Sequence, residues 1–479
     1  MPLKKFFFLV AFGSCLYCAS ALYNEAPSRR ASVALLLDIQ AANTSSLQIT
    51  LPLHPPGTPS STTINDGPTS TAVASPIKSC IVTPHGWGID DSPAILAAVD
   101  ICGTDGIITL PAPYVYTISQ RMYMKLIRAR LEILGTLSFT ANLNYWIENS
   151  FRVEFQNQST AWIIEGSDFI VDGGGWAQGG IDGNGQAWMT RSNGTSNQFG
   201  RPISMSIYNS TNATVSSFSF RQPQFWSIWV QDSNNIVLKD IYINGTNTDP
   251  AGKGNNYEVN IDGLDTLRVD NLLVENWLFH GGDDCLAPKG NSTNMVFRNL
   301  TCIGGGIAFG SLGQYPGSPD YITNVTVTNV SVVQDVNPIT GGALVSAGAY
   351  FKSWVGVEAG VPPQGGGGGT GRVSNVSFLG LETKNSTQAI YINKCYYKVA
   401  SQAEYCDTSR LEFEDLSFSD VTGTVRTTNG ISLNCSAMAP CSHISFSGVN
   451  LRGSSGLRAN LICVNALDVN GLSCNSTLV

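Results

Sequence analysis

Five aspartates lie within one short stretch of the chain, "NIDGLDTLRVDNLLVENWLFHGGDDCLAPKG", residues 260–290, and four of them stand near its two ends. Asp262 and Asp265 come near its start, and Asp283 and Asp284 are adjacent near its end. Carboxyl groups that pack together repel each other when ionised, so at least one keeps its proton at higher pH. Hydrolysis of a glycosidic bond needs this combination, because one carboxylic acid protonates the leaving oxygen while a carboxylate activates water. Asp-rich turns can also bind calcium or stabilise corners, and the spacing alone favours neither interpretation.

A short repeated pattern indicates which elements position these acids. Each unit has a small polar residue, alternating apolar residues, then Asn, Asp or Gly and a further apolar run. Alternation predicts strands, and Asn, Asp and Gly tolerate the left-handed conformation that a corner needs. The units begin at Asn235, Thr266, Asn294, Asn324, Asn375, Asp415 and His443, with predicted corners at Asp240, Asn271, Asn299, Asn329, Gly380, Asp420 and Gly448.

The spacing of these units predicts a solenoid. The first four begin 31, 28 and 30 residues apart, about one coil each, whereas the turns of a β-sandwich recur every 8 to 12 residues. We therefore predict an all-β fold, a single-stranded parallel β-helix. Its coils stack roughly 4.8 Å apart, so Asp262 and Asp283 could converge on one face. One helix is predicted in "DDSPAILAAVDIC", from Asp90, and we expect it to cap the open end of the core.

The N-terminal residues predict export. Lys4 and Lys5 precede an apolar stretch that ends in Ala19-Ser20-Ala21, the order of a signal peptide, so residues 1–21 are predicted to be removed. A membrane anchor is the alternative, but the apolar run is short for a bilayer. Residues 22–79 are predicted to be an extension with a Ser/Thr/Pro-rich linker, and residues 80–479 the β-helix domain.

Cysteines and sequons agree with a secreted, extracellular protein. Without the signal peptide ten cysteines remain, an even number suited to disulfides, and no CxxC pair is left for a zinc ribbon. Proximity in the sequence predicts the pairs Cys80–Cys102, Cys285–Cys302, Cys395–Cys406, Cys435–Cys441 and Cys463–Cys474. Glycosylation sequons occur at Asn157, Asn193, Asn209, Asn244, Asn291, Asn324, Asn375 and Asn475, among others.

The charge distribution excludes several function classes. The net charge is −8 and no run of Lys and Arg exceeds two residues, which argues against nucleic-acid binding. The histidines have no metal-ligand spacing, so we expect no metal. We also expect no membrane partner, and a monomer. Arg268 and Lys289 flank the acid cluster and could form a positive patch for an anionic sugar, although each could equally be surface charge. The loop "PPQGGGGGTG", from Pro362, could border the cleft.

Several motifs together resemble those of glycoside hydrolase family 28, the polygalacturonases and their pectin-degrading relatives. They are "IDGNGQAWM" from Ile181, "NIDGLDT" from Asn260, "GGDDC" from Gly281, "GIAFGSLGQY" from Gly306 and "FKSW" from Phe351, in the family's order and spacing. The resemblance covers some 400 residues, from Cys80 onward. It implies a right-handed parallel β-helix and inverting hydrolysis without a metal or cofactor.

The resemblance also implies roles for the acids. The family's Asn-Thr-Asp motif falls on Asn260, Ile261 and Asp262, with the threonine replaced and the acid kept. Its paired acids fall on Asp283 and Asp284. The implied general acid is Asp283, with Asp262 and Asp284 holding and deprotonating the water.

Substrate-binding residues follow from the same resemblance. The family's Arg-Ile-Lys motif falls on Tyr350, Phe351 and Lys352, so the arginine is replaced while the lysine is retained. Lys352 alone could still bind a sugar carboxylate as a point charge. The tyrosine that lines the sugar site in the family is matched to Tyr396, and we add Tyr350 and Arg268 as predicted substrate-binding residues.

A run of glycines in "CIGGGIAFGSLGQY" replaces a family histidine. Relatives usually carry Gly-His-Gly where this chain has Gly304, Gly305 and Gly306. A phosphate site would need these glycines to open a helix, but the residues after them alternate like a strand. His280 could replace the histidine, but it lies three residues before Asp283 and should face the other side of a strand.

These observations predict a secreted hydrolase that releases galacturonic acid from the ends of pectic chains, since "DGLDT", "GSLGQY" and "FKSW" are more similar to exo-acting relatives. The missing histidine and arginine favour a rhamnogalacturonan hydrolase or α-L-rhamnosidase as the alternative. A catalytically silent pectin-binding protein and a calcium-dependent lyase on a similar fold are alternatives from other classes.

Overall fold

The computed structural model describes residues 78–342, 345–397 and 403–478. The predicted signal peptide and nearly all of the predicted linker lie outside these residues. The helices are α1 (Ser92–Cys102), α2 (Leu143–Asn149) and α3 (Gly185–Ser192), with 3-10 turns at Phe155–Asn157, Pro250–Gly252 and Ala403–Thr408. The strands are β1 (Lys78–Ile81), β2 (Gly106–Leu110), β3 (Val115–Ile118), β4 (Met122–Ile127), β5 (Arg130–Ile133), β6 (Thr136–Phe139), β7 (Phe151–Arg152), β8 (Ser159–Thr160), β9 (Trp162–Asp172), β10 (Gly180–Asp182), β11 (Pro202–Ile203), β12 (Met205–Ser216), β13 (Ser219–Arg221), β14 (Ile228–Asn244), β15 (Leu264–His280), β16 (Leu286–Pro288), β17 (Ser292–Ile303), β18 (Ile307–Leu312), β19 (Asp320–Val333), β20 (Ala347–Trp354), β21 (Thr370–Ser386), β22 (Gln388–Tyr397), β23 (Arg410–Val425), β24 (Asn429–Asn434), β25 (Ser442–Ser447), β26 (Asn450–Arg452), β27 (Asn460–Val464), β28 (Val469–Asn470) and β29 (Ser476–Thr477).

These strands form the predicted parallel β-helix. Within the described residues, 26 strands belong to one continuous sheet, and every pairing in it is parallel except that of β27 with β29. The long strands stack coil upon coil in the order β9, β12, β14, β15, β17, β19, β21 and β23. A small separate sheet contains β7, β8 and β11. Because each strand pairs with the equivalent strand of the next coil, residues at the same level of successive coils become neighbours.

Two rows of polar corners follow this stacking. In one row Asn271 donates to Asn235, Asn324 donates to Asn294 (2.9 Å) and Asn375 donates to Asn324 (2.7 Å). All have a positive φ, as the corner pattern predicts. Because successive Asn side chains pair along the axis, each corner is satisfied by the coil beside it.

Asn271 is a corner, as predicted, but it belongs to the other row of corners than the pattern indicated. Asn276, five residues later, is level with Asp240 and donates to it at 2.9 Å, and Asn299 donates to Asn276 at 3.2 Å. Asn271 instead continues the row of Asn235. The residues around Asn271 and around Asn276 alternate in nearly the same way, so the pattern fits Asp240 equally well with either corner. Only strand pairing distinguishes these two alignments.

The core confirms the predicted cap and disulfides. Helix α1 buries Ile95, Ala98 and Val99 on the hydrophobic cluster of the first coils. All five disulfides predicted from proximity are present. The Cys285–Cys302 bond joins the turn that contains the paired acids to strand β17. Among the described residues no helix has the length and apolar character needed to cross a bilayer.

Candidate active site

The stacking of coils brings the three predicted catalytic acids together. Asp262 lies just before β15, and Asp283 and Asp284 lie in the turn between β15 and β16. Leu264 pairs with Leu286, an offset of 22 residues that places Asp262 level with Asp284. One carboxylate oxygen from each of the three acids lies within 4.8 Å of the other two. A water molecule bridging two such oxygens needs about 2.7 Å to each, so the gap fits one water.

Each acid has different partners. Both oxygens of Asp283 accept backbone N–H groups, from Asn260 at 2.9 Å and from Asp284 at 3.0 Å. Asp284 contacts the ammonium group of Lys352 at 2.6 Å. Asp262 is 3% exposed, and its Oδ1 has no hydrogen-bond partner among the described residues. The backbone therefore orients Asp283, a cation neutralises Asp284, and Asp262 keeps a free oxygen.

Burial raises the proton affinity of this cluster. Loss of hydration, and then repulsion from Asp283, raises the pKa of Asp262 well above its ordinary value. Burial, followed by repulsion from Asp284, also raises the pKa of Asp283. Burial by itself would lower the pKa of Lys352, but the Asp284 carboxylate outweighs this and raises that pKa well above its ordinary value. The site therefore contains a permanent cation and carboxyl groups able to keep a proton, which general acid catalysis needs.

A second buried ion pair lies beside the acids. The ammonium of Lys289 lies 2.7 Å from Oδ1 of Asp265 and donates to the carbonyl of Gly310 at 2.9 Å. Both side chains are almost fully buried. Burial raises the pKa of Asp265 to about 7, although Lys289 opposes the shift. Lys289 thus supplies a second cation at the acid cluster, the place where the sequence offered it as part of a positive patch for an anionic sugar or, equally, as surface charge; its burial excludes surface charge.

Two cavities meet at the paired acids. Cavity A, of about 280 Å³, is lined by all three acids and by both Lys289 and Lys352. Cavity B, of about 210 Å³, is lined by Asp283, Asp284 and Lys352 but not by Asp262. The residues common to both cavities, Asp283, Asp284, Lys352 and Tyr396, therefore mark the boundary between them.

The predicted aromatic residues lie at this boundary. The ring of Tyr396 lies 4.9 Å from the ammonium of Lys352 and lines both cavities. Tyr350 lines cavity B, where it stacks on Tyr391 with ring centroids 5.1 Å apart. The hydroxyl of Tyr350 accepts a hydrogen bond from Asn393 at 3.0 Å. Tyr350 thus provides an apolar face at the position where the resemblance implies an arginine.

Arg268 requires a correction. Its guanidinium pairs with the carboxylates of Asp232 and Glu154, and it is not among the described residues that line cavity A or cavity B. The corner at Arg268 directs its side chain away from the acids, along the outside of the coil. His280 likewise faces away, as predicted, and lies 2.9 Å from the buried carboxylate of Asp335.

The three glycines form a tight corner between coils. A Cβ at Gly305 would lie 1.7 Å from the carbonyl oxygen of Asp283, and one at Gly304 would lie 1.8 Å from that of Gly281. The residues that follow form strand β18, not a helix. Strand β18 confirms the prediction that these glycines do not open a helix and so do not form a phosphate site. Position 305 has no room for a histidine while the turn bearing the acids stays in place.

Three segments that are far apart in the sequence line cavity A together, and we call them the wall: residues 154–158, 196–197 and 363–365. The amide of Gln156 donates to Gln314 at 2.8 Å, and Gln314 donates to the carbonyl of Gly365 at 2.9 Å. Gln364 donates to the carbonyl of Asn197 at 3.3 Å. Side-chain amides thus connect segments about 200 residues apart in sequence. No motif signalled the wall, apart from the loop at Pro362.

The wall separates cavity A from a further groove on the same sheet. Gln156 lines cavity A, whereas Glu154 lines cavity C, a groove of about 280 Å³. Between them the ring of Phe155 packs 6.4 Å from Trp226, which lines cavity A, and 5.7 Å from Trp229, which lines cavity C. The segment therefore interrupts what would otherwise be a longer groove.

The three carboxylates also have the spacing of a cation site. The ammonium of Lys352, however, already lies 2.6 Å from Asp284 and supplies the positive charge that a metal would bring. The arrangement therefore suits acid and base chemistry by the residues themselves.

Comparison with known proteins gives consistent results. The model of the family described as glycosyl hydrolases family 28 matches residues 108–341 and 355–474. A protein of Aspergillus niger named galacturan 1,4-alpha-galacturonidase A is 46% identical over 83% of this chain and 93% of its own length. An α-L-rhamnosidase of Aspergillus niger is 32% identical over 82% of this chain and 89% of its own length. The crystal structure of an endo-xylogalacturonan hydrolase from Aspergillus tubingensis superposes with a TM-score of 0.71 and 24% identity, over 83% of this chain and 99% of that one.

Proposed function

The chain belongs to glycosyl hydrolase family 28, and on that basis we propose that it is a secreted enzyme that removes single galacturonic acid residues from the ends of pectic chains. The family match and the 46% identity to a galacturonidase support hydrolysis of a galacturonan. The observation that carries the chain-end specificity is the wall, whose segment 154–158 lies between cavity A and cavity C.

The wall favours release of one sugar at a time. A polymer crossing an open groove can be cut anywhere along its length, whereas a groove blocked beside the acids admits only a chain end. Because Glu154 and Gln156 lie on opposite sides of one segment, cavities A and C cannot bind one continuous chain. The terminal sugar then occupies cavity A, and the remaining chain extends through cavity B.

The charges of cavity A favour an anionic terminal sugar. Lys289 and Lys352 both line it, and each has its ammonium fixed by a buried carboxylate. An ammonium group has three N–H donors, so each lysine can still donate to a sugar carboxylate. A galacturonate carboxylate bound between them would gain charge-assisted hydrogen bonds in a site largely shielded from water.

The acids can perform the hydrolysis at the boundary of the cavities. Asp283 donates its proton to the glycosidic oxygen as the bond from that oxygen to the anomeric carbon breaks. A water molecule held between Asp262 and Asp284 adds to the anomeric carbon and gives its proton to one of these carboxylates. The raised pKa of Asp283 suits the acid role, and each of its oxygens keeps a second lone pair beside the backbone N–H that it accepts.

Export is supported by the signal-like N-terminus and by five disulfides, which form in oxidising compartments. Expression with the native N-terminus should release the protein into the medium with Leu22 as its first residue, as N-terminal sequencing would determine. Retention of the protein in the cell with residues 1–21 intact would contradict this.

The test of function is the product profile on long homogalacturonan. We expect monomeric galacturonic acid from the first time point and little early loss of viscosity, and Asp283→Asn should abolish release. The matched control is Asp100→Asn, on the exposed side of α1, which should behave like the wild type. Early oligomers of several lengths would disprove chain-end action, and no release from any pectic substrate would disprove hydrolysis.

The relative named as a rhamnosidase keeps a second candidate open, the hydrolysis of terminal rhamnose. The specific observation is Tyr350, which presents an apolar face in cavity B at a position where the resemblance implies arginine. Rhamnogalacturonan fragments ending in rhamnose or in galacturonate distinguish the two candidates. Release of rhamnose alone would support this candidate, and release of galacturonate alone would exclude it.

A further inference from the structure

Arg201 is a buried cation behind the acids for which the sequence gave no role. Its side chain is completely buried, and its guanidinium lies 5.3 Å from the ring centre of Phe225. Nε donates to the carbonyl of Gln224, and Nη1 donates to the carbonyl of Val259 at 2.9 Å. It is not among the described residues that line cavities A, B and C, so it approaches the acids from the protein side.

These two hydrogen bonds fix Arg201 to the segments that hold the acids. Val259 directly precedes Asn260, whose backbone N–H binds Asp283. The segment after Gln224 contains Ser227, whose backbone and hydroxyl both donate to the carbonyl of Asp262, at 2.8 and 2.9 Å. The guanidinium is therefore hydrogen-bonded both to the segment that holds Asp262, the proposed base, and to the segment that holds Asp283, the proposed acid.

Two buried polar atoms at this place lack a hydrogen-bond partner among the described residues. One is Nη2 of Arg201, and the other is Oδ1 of Asp262. A buried charged donor without a partner is costly unless nearby charge compensates for it. The carboxylates of Asp262 and Asp283 provide this compensation, since both favour the charged guanidinium while burial opposes it.

A balance of charges shows why this cation matters. The described residues of the cluster include four carboxyl groups, those of Asp262, Asp265, Asp283 and Asp284. Lys289 pairs with Asp265, and Lys352 pairs with Asp284. Tyr396, which faces the same acids, is neutral. Asp262 and Asp283 have no ion pair of their own within the described residues, although Lys289 lowers the pKa of Asp262 and Lys352 lowers that of Asp283 from a distance. Arg201 is a third cation, and no ion pair among the described residues engages it.

On the basis of the proposed function, we propose that Arg201 is a positioning residue whose buried charge keeps one carboxyl group of the Asp262–Asp283 pair ionised while the other carries the proton. Arginine suits this role because it does not lose its proton in proteins. Its charge is thus constant over the whole working pH range, whereas without it both acids would become protonated together as the pH falls.

The experiment compares the pH profiles of kcat/KM for Arg201→Met, Arg201→Lys and wild type on trigalacturonate. The control Ser204→Ala removes a hydrogen bond to Gln224 in the same place without changing any charge. Melting temperatures establish which variants are folded. In Arg201→Met we expect the acid limb to move upward by about one pH unit or more, which is about a tenfold loss of kcat/KM on that limb. In Arg201→Lys we expect the limb to return toward the wild-type position.

Each outcome decides the proposal. An unshifted acid limb in folded Arg201→Met would overturn it, because a purely structural role lowers the melting temperature without moving that limb. Should Arg201→Met fail to fold, Arg201→Lys decides: a retained limb supports the proposal, and a folded variant with a shifted limb or no turnover refutes it. Activity of wild type and Ser204→Ala shows that the proposed function holds whichever way the Arg201 variants behave, and an inactive wild type would overturn both.

Discussion

Replacement of Lys352 by methionine tests whether the site depends on its buried ion pair. The ammonium lies 2.6 Å from Asp284, and the two side chains are 3% and 15% exposed. Methionine has a similar length and an apolar end, so the substitution removes the charge and leaves most of the volume. It leaves Asp284 beside two further acids, without the cation that contacts it.

The expected magnitude follows from this geometry. Coulomb's law at an effective dielectric constant of about 20 gives roughly 6 kcal/mol for unit charges 2.6 Å apart. Removal of one partner of a buried pair typically costs about 3–5 kcal/mol. At about 1.4 kcal/mol per pH unit, this equals roughly 2–4 units of proton affinity. We therefore expect the cluster to take up a further proton, and the acid limb of kcat/KM to move upward by about 2 units.

The assay is galacturonate release from trigalacturonate across the acidic and neutral pH range. We expect kcat/KM on the acid limb to fall by about a hundredfold or more. The matched control is Lys384→Met, which removes a lysine 2.9 Å from Glu382 on the exposed surface, where both partners are about half exposed. Exposed pairs contribute little, so this variant should retain the wild-type profile. A Lys352→Met enzyme with an unshifted acid limb would refute the reasoning, whatever its KM.

Three further predictions follow from other parts of the site. The pKa of Asp265 is about 7 in the folded protein and near 3.8 when unfolded, so the folded state binds this proton more tightly. The free energy of unfolding therefore decreases by about 4 kcal/mol as the pH rises between these two values. The melting temperature should therefore fall from mildly acidic to neutral pH, and Asp265→Asn should flatten this fall; an unchanged slope would contradict the role of burial. Inverting hydrolysis of an α-linkage should give the β-anomer first, as proton NMR of early time points would show, whereas the α-anomer would indicate retention. Arg268→Ala should leave kcat/KM unchanged, because Arg268 pairs with Asp232 and Glu154, which do not line cavity A or cavity B; a marked rise in KM would restore its predicted role.

The fold could be predicted largely from local pattern. Alternating residues and corner residues identified the units, and short sequence separations gave all five disulfides correctly. The register could not be predicted as well. The coil offsets are 36 residues from Asn235 to Asn271 and 23 from Asn271 to Asn294, whereas the pattern indicated 31 and 28. Two similar corners five residues apart made both alignments consistent with alternation, and strand pairing selected one.

The candidate site was predicted in part. The three acids, Lys352 and Tyr396 lie together as the resemblance implied, although their catalytic roles stay predictions. Arg268 was placed in the site because it is near the acids in sequence, but its corner directs it outward. The glycine run was predicted to stand where relatives carry a histidine, and the structure shows that Gly304, Gly305 and Gly306 line cavity B while the carbonyl of Asp283 fills the position of a side chain at Gly305.

The sequence by itself determined the strand units, the corners, the cysteine pairs and the identity of the acids, because each depends on residues that are close neighbours in the chain. Only the tertiary structure decided which residues surround those acids. In the wall, Gln314 joins Gln156 to Gly365, and Arg201 reaches the acids from another coil. Burial, charge balance and a blocked groove arise from segments far apart in sequence, and no local pattern encodes the distances between them.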